Sequence, residues 1–120
     1  MNNPIILLFG ATGDLAKKKI LPALFTLYRK KQIVNTPILA IGRRNLTKED
    51  YIEEMNLMAL EQKDRGAYAF FIRNLYYQAV NIKDKHPASF ANELARLDHE
   101  YRSDGEKIVY LATSSDLFVP

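Results

Sequence analysis

Two rhythms of apolar and polar residues alternate along this chain. Ile5-Ile6-Leu7-Leu8 is a continuous apolar run leading into Phe9-Gly10. Such a run closed by glycine predicts a strand over 4–9. The period then lengthens. Ala16, Ile20, Ala23, Leu24 and Leu27 recur at helical spacing and predict a helix over 14–31. Pro22 lies inside it. Proline has no N–H and frees the Lys18 carbonyl, so a kink or a loosened turn is expected there. Ile38-Leu39-Ala40-Ile41-Gly42 is a second strand. Thr47 with Asp50 three residues on approximates a capping box, and a helical region runs from there to about 62. Gly66 breaks it, and a shorter helix covers 67–73. A third strand lies at 76–80. Pro87 suits the first turn of a helix over 87–101, with Phe90, Leu94 and Leu97 at its core-facing positions. A fourth strand covers 107–112. Strands one, two and four are nearly continuous apolar runs, as expected of strands covered on both faces.

This order, β-α-β-α-α-β-α-β, calls for a parallel sheet with right-handed crossovers. At 120 residues the chain is one domain with one core. Hydrophobic content of 48% and charged content of 26% are ordinary for a globular protein. There is no 18-residue apolar run, so no membrane-spanning helix is predicted. Met1-Asn2-Asn3-Pro4 lacks the basic start of a signal peptide. The absence of cysteine excludes disulfides and thiolate zinc sites and fits a cytoplasmic location. Net charge is +3 with a pI near 9.1. The basic residues cluster as Lys17-Lys18-Lys19, Arg29-Lys30-Lys31 and Arg43-Arg44. They form no single stripe interleaved with aromatics, so nucleic acid is not the expected partner.

The junction after the first strand carries the chemistry. Gly10-Ala11-Thr12-Gly13-Asp14-Leu15-Ala16-Lys17 joins a buried strand to a helix. Glycines allow a tight turn and a close approach of backbone to ligand. The free N–H groups of the helix start, with the helix dipole, then hold anionic phosphates. The spacing Gly10-x-x-Gly13-x-x-Ala16 is a variant of the dinucleotide fingerprint, informative because of its strand–helix setting. The competing reading is a plain βα turn in which Ala16 is small only for packing. The fold class is therefore α/β, Rossmann-like: a parallel four-stranded sheet with flanking helices, the first part of a dinucleotide-binding domain.

Arg43 and Arg44 follow the second strand, where an NAD site usually has Asp or Glu to accept from the ribose hydroxyl. The first acid here is Glu49. A guanidinium can bind a 2′-phosphate with paired hydrogen bonds, whereas a carboxylate would repel it, so NADP is the expected cofactor. Lys17, Lys18 and Lys19 cannot all face one ligand, because successive helical residues turn by about 100°. Asp14 suits the helix start as a cap or dipole complement, with its carboxylate turned from the phosphates. His86 and His99 have no partner pattern, so no metal site is expected. The aromatics at 68, 70, 71, 76 and 77 read as core and strand residues.

The string from Gly10 to Ile20, followed by Pro22, resembles the glucose-6-phosphate dehydrogenase family, which opens with Gly-Ala-Ser/Thr-Gly-Asp-Leu-Ala-Lys-Lys/Arg-Lys and a nearby proline. Arg43-Arg44-Asn45-Leu46-Thr47 resembles the family's Arg-Ser-Arg-Leu-Thr segment. The segments 77–90 and Val109-Tyr110-Leu111-Ala112 resemble later family segments in the same order. The chain departs from the family at Ala40, where glycine is usual, and at Thr113-Ser114-Ser115, where the family has a proline pair. It lacks the family's Lys-Pro-Phe-Gly and Arg-Ile-Asp-His-Tyr-Leu-Gly-Lys motifs.

The resemblance implies roles. Gly10, Ala11, Thr12, Gly13, Asp14, Leu15, Ala16 and Lys17 would bind the cofactor phosphates, with the Thr12 hydroxyl as an added donor. Arg43 would contact the 2′-phosphate, and Asn81 and Ile82 the adenine side. Lys19 would sit near the sugar phosphate and serve catalysis. The main base, a histidine, would lie outside these 120 residues. The chain is then expected to be an incomplete N-terminal NAD(P)-binding domain, inactive alone, of an enzyme that oxidises glucose 6-phosphate to the lactone in the pentose phosphate pathway. A homodimer or homotetramer is expected. The alternatives are another Rossmann oxidoreductase and a non-catalytic nucleotide-binding module.

Overall fold

The structure is a computed structural model that describes residues 4–80, 88–103 and 105–111, without the side chains of 88–90. Four strands, β1 (Ile5–Phe9), β2 (Ile38–Gly42), β3 (Leu75–Ala79) and β4 (Lys107–Leu111), form one sheet in the order β3-β2-β1-β4. All three pairings are parallel, with Leu8 beside Ala40 on one side and Tyr110 on the other. The helices α1 (Leu21–Arg29), α2 (Lys48–Glu54), α3 (Arg65–Arg73) and α4 (Ala88–Tyr101) connect them. This is the Rossmann-like arrangement expected from the alternation of elements. The chain leaves β1 toward β2 on one side and returns to its other side as β4. The carboxyl ends of β1 and β4 therefore form the switch point where such sheets bind ligands.

Side chains alternate across a strand, so β1 and β2 each feed two cores. Ile6, Leu8, Ile38 and Ala40 face Leu21, Leu24, Phe25, Tyr28, Tyr51 and Phe71. Ile5, Leu7, Leu39 and Ile41 face Leu97 and Tyr101 of α4, with Leu94 packed beside them. Strands β1 and β2 are thus covered on both faces. Strand β4 is not, contrary to the expectation from its apolar run. Among the described strands it pairs with β1 alone, and its residues are exposed throughout. Among the described residues no element covers its faces. Phe90 falls outside the described side chains, and His86 and Pro87 outside the described residues.

The expected loosening at Pro22 takes a defined form. Ala16–Ile20 is a π-helical turn that runs straight into α1, and the Leu21 N–H reaches back five residues to the Ala16 carbonyl. Pro22 then occupies the first turn of α1, where an N–H is dispensable. The wider turn re-phases the buried face, which reads Ala16, Leu21, Leu24, Phe25 and Tyr28. Ala23, expected on that face, is exposed.

Two other boundaries move. The helical region after Thr47 ends at Glu54, because Asn56 is left-handed at φ 54°. A 3-10 stretch, Leu57–Gln62, follows. Asparagine is among the few residues that tolerate this conformation. Gly66 breaks nothing: it lies in the first turn of α3, which Asp64 caps by accepting the Ala67 N–H at 3.0 Å.

Candidate functional site

The end of β1 turns at Gly10, whose φ of 71° favours glycine. The Gly10 carbonyl accepts the Gly13 N–H at 3.2 Å, which closes the turn. The Ala11 N–H donates to the Ile41 carbonyl at 3.0 Å and the Ala11 carbonyl accepts the Tyr51 hydroxyl at 2.8 Å. Both backbone groups of Ala11 are therefore engaged within the chain, and its side chain is buried. The helix takes hold where the Lys17 N–H meets the Gly13 carbonyl at 3.1 Å. The N–H groups of Thr12, Asp14, Leu15 and Ala16 meet no backbone carbonyl among the described residues. They form the row of donors that a phosphate needs at a helix start. Gly13, Asp14, Leu15, Lys17, Lys18 and Lys19 are exposed around it, and Ala16 is buried beneath. The Asp14 carboxylate accepts no hydrogen bond among the described residues, so it does not cap the helix start.

The loop after β2 separates its two arginines by partner. Arg44 forms an ion pair with Glu54 at the end of α2, and that hydrogen bond holds its pKa above the ordinary guanidinium value. Its carbonyl accepts the Tyr77 hydroxyl at 2.6 Å. Arg43 is exposed and makes no ion pair among the described residues. Of the two, Arg43 is the one with a guanidinium available to an anion. The loop is carried by α2, whose capping box is the expected one: the Thr47 hydroxyl accepts the Asp50 N–H at 3.0 Å, and the Asp50 carboxylate accepts the Thr47 N–H at 3.5 Å.

Sequence reasoning did not find Tyr51, Tyr77 or Gly42. Tyr51 and Tyr77 stack with ring centroids 4.8 Å apart, and each hydroxyl holds one of the two loops. Burial pushes both phenol pKa values up. The sequence signal for Tyr51 is a lone aromatic on a short charged helix, since a buried phenol needs a hydrogen-bond partner. Asn81, Ile82 and Thr113-Ser114-Ser115 lie outside the described residues. Among the described residues no cluster of metal-ligating side chains occurs, and no helix is long and apolar enough to cross a membrane.

The chain is similar to known proteins over nearly its full length. Residues 7–120 match the family described as "Glucose-6-phosphate dehydrogenase, NAD binding domain". Glucose-6-phosphate 1-dehydrogenase of Aggregatibacter actinomycetemcomitans is 34% identical over 97% of this chain and 24% of its own length. The Bacillus subtilis enzyme is 29% identical over 95% of this chain and 24% of its own length. A solved structure described as "Glucose-6-phosphate dehydrogenase in complex with its substrate glucose-6-phosphate" superposes with a TM-score of 0.83 at 30% identity, over 98% of this chain and 25% of that one. The chain thus spans about a quarter of the length of these relatives. It belongs to the glucose-6-phosphate dehydrogenase family, in the part described as its NAD binding domain.

Proposed function

We propose that this chain is the N-terminal, NADP-binding part of a glucose-6-phosphate 1-dehydrogenase, a cytoplasmic homo-oligomer whose substrate domain is a separate segment. The dinucleotide, when bound, supplies the hydride acceptor. Glucose 6-phosphate gives up the C1 hydride while a base takes the C1 hydroxyl proton, which yields the lactone. This chain's part is to hold and orient. The donors after Gly10 suit a pyrophosphate, Arg43 suits a 2′-phosphate, and Lys17 and Lys19 add positive charge on the helix that leaves the loop. Lys19 is assigned to the sugar phosphate, and the proton-accepting base to a histidine outside residues 1–120. Asn81 and Ile82 are assigned to the adenine side.

The observation that carries the choice of NADP is the Arg43 guanidinium, which makes no ion pair among the described residues, beside an Arg44 already engaged by Glu54, with no acid between β2 and Glu49. Titration with NADPH and NADH, followed by nicotinamide fluorescence, tests it. The wild type should prefer NADPH. Loss of a charge-assisted pair in Arg43→Ala should weaken NADPH about 10- to 100-fold and leave NADH nearly unchanged. Equal weakening of both, or of neither, would remove Arg43 from the 2′-phosphate site.

A further inference from the structure

The two loops of the site are not independent. Helix α2 reaches the phosphate loop through the Tyr51 hydroxyl on the Ala11 carbonyl and the arginine loop through Glu54 on Arg44. Strand β3 reaches the arginine loop through the Tyr77 hydroxyl on the Arg44 carbonyl. The two tyrosine rings stack on each other at 4.8 Å with planes 23° apart. Gly42 lies where these groups converge. A Cβ there would stand 2.7 Å from the Tyr77 hydroxyl oxygen and 3.2 Å from the Thr12 methyl. The backbone before Arg43 thus approaches both the brace and the phosphate loop more closely than any side chain would allow.

We propose that Tyr51 and Tyr77 are positioning residues of the dinucleotide site: a stacked phenol pair that ties the phosphate loop to the arginine loop and sets the distance between pyrophosphate and 2′-phosphate. This rests on the cofactor reading above and goes beyond it, since it assigns both tyrosines to holding the loops and not to the ligand itself. The two hydroxyls have separable duties. Tyr51 orients the Ala11–Thr12 peptide, which any dinucleotide uses through its pyrophosphate. Tyr77 orients the peptide after Arg44, and only a 2′-phosphorylated dinucleotide uses the arginine loop. Tyr51 therefore governs affinity for both cofactors, and Tyr77 governs the preference between them.

The test is titration of the full chain with NADPH and NADH, alongside thermal melting. Tyr77→Phe keeps the ring and the stack and loses one hydrogen bond. It should weaken NADPH by ~3- to 10-fold while NADH stays within about twofold. Tyr51→Phe leaves a buried carbonyl without a donor and should weaken both by a common factor of about 10. Gly42→Ala displaces the Tyr77 hydroxyl without removing it and should reproduce the loss of preference seen in Tyr77→Phe. A merely structural pair would lower the melting temperature and leave the NADPH/NADH ratio alone. That outcome in Tyr77→Phe and Gly42→Ala overturns the brace while wild-type preference for NADPH preserves the cofactor reading. If Tyr51→Phe fails to fold, the other two variants still decide. A wild type that binds neither dinucleotide overturns both proposals.

Discussion

Strands β2 and β4 are written alike and live differently. Ile38-Leu39-Ala40-Ile41 and Ile108-Val109-Tyr110-Leu111 are both unbroken apolar runs, and both follow a helix into a parallel sheet. In β2 no residue of that run is more than 5% exposed, whereas in β4 Val109 is 53% and Leu111 52% exposed. The difference lies in the neighbours. Strand β2 has β1 and β3 beside it and helices on both faces, while β4 has β1 alone among the described elements. An apolar run therefore specifies a strand that gains from cover and does not specify what covers it. The largest expected effect measures this contrast. Leu39→Ala empties a fully buried site and should cost about 2–5 kcal/mol in urea unfolding. Val109→Ala removes carbon that already meets water and should cost about 0.5 kcal/mol or less. Equal losses would break the comparison and mean that β4 is covered in solution.

The parts of the fold that were legible rest on local chemistry. Strand β2 spans the residues read for it, and the Thr47 cap stands where the pattern put it, because a hydrophobic run and a capping box act over a few neighbouring residues. What escaped depends on contacts made elsewhere. Pro22 announced a disturbed helix, but only the packed structure shows that the answer is a five-residue π turn that moves Leu21 inward and Ala23 outward. Asn56 ends a helix by adopting a left-handed conformation that polar composition alone does not require. At the site, Arg43 and Arg44 look equivalent as letters. Glu54 separates them from ten residues away, and it does so only because α2 folds back over the loop. Tyr51 spans 40 residues to reach Ala11, a distance at which no sequence period speaks.

The glycines that serve β1 and β4 sharpen the contrast at a smaller scale. Gly10 leaves β1 at φ 71° and Gly105 enters β4 at φ 79°. A side chain is strained in either place by about 1–2 kcal/mol. Around Gly105 an added Cβ meets nothing within 4 Å, so Gly105→Ala should cost backbone strain and nothing else. Gly10→Ala should cost similar stability and, in addition, move the loop whose Thr12, Asp14 and Leu15 N–H groups are assigned to the phosphates. The measurement is paired: urea midpoints for both variants, then NADPH affinity. If Gly105→Ala lowers affinity as much as Gly10→Ala, the loop after β1 has no privileged role.

The smallest effect is silent at neutral pH and concerns the covered half of the molecule. The Tyr28 hydroxyl donates to the Thr36 carbonyl in a buried setting, and desolvation pushes its pKa up to about 12. Burial raises the phenols of Tyr51, Tyr68, Tyr77 and Tyr101 as well. Well below pH 10 these groups are protonated in both states and contribute no slope. Above pH 10 the unfolded chain releases its phenolic protons first, so the native state holds more protons and stability falls as pH rises. Lys48 works in the opposite sense. Burial lowers its ammonium pKa although it donates to the Ile72 carbonyl at 2.6 Å, so on approach to pH 10.5 the unfolded chain binds more protons and stability rises. One lysine opposes five phenols, and the net expectation is a falling urea midpoint between pH 10 and 12. Tyr28→Phe should make that fall shallower and leave its position unchanged. A midpoint that stays level across this window, or a fall that Tyr28→Phe does not soften, would mean that the phenols beside β1, β2 and β3 are already wet, and that the covered half is no drier than β4.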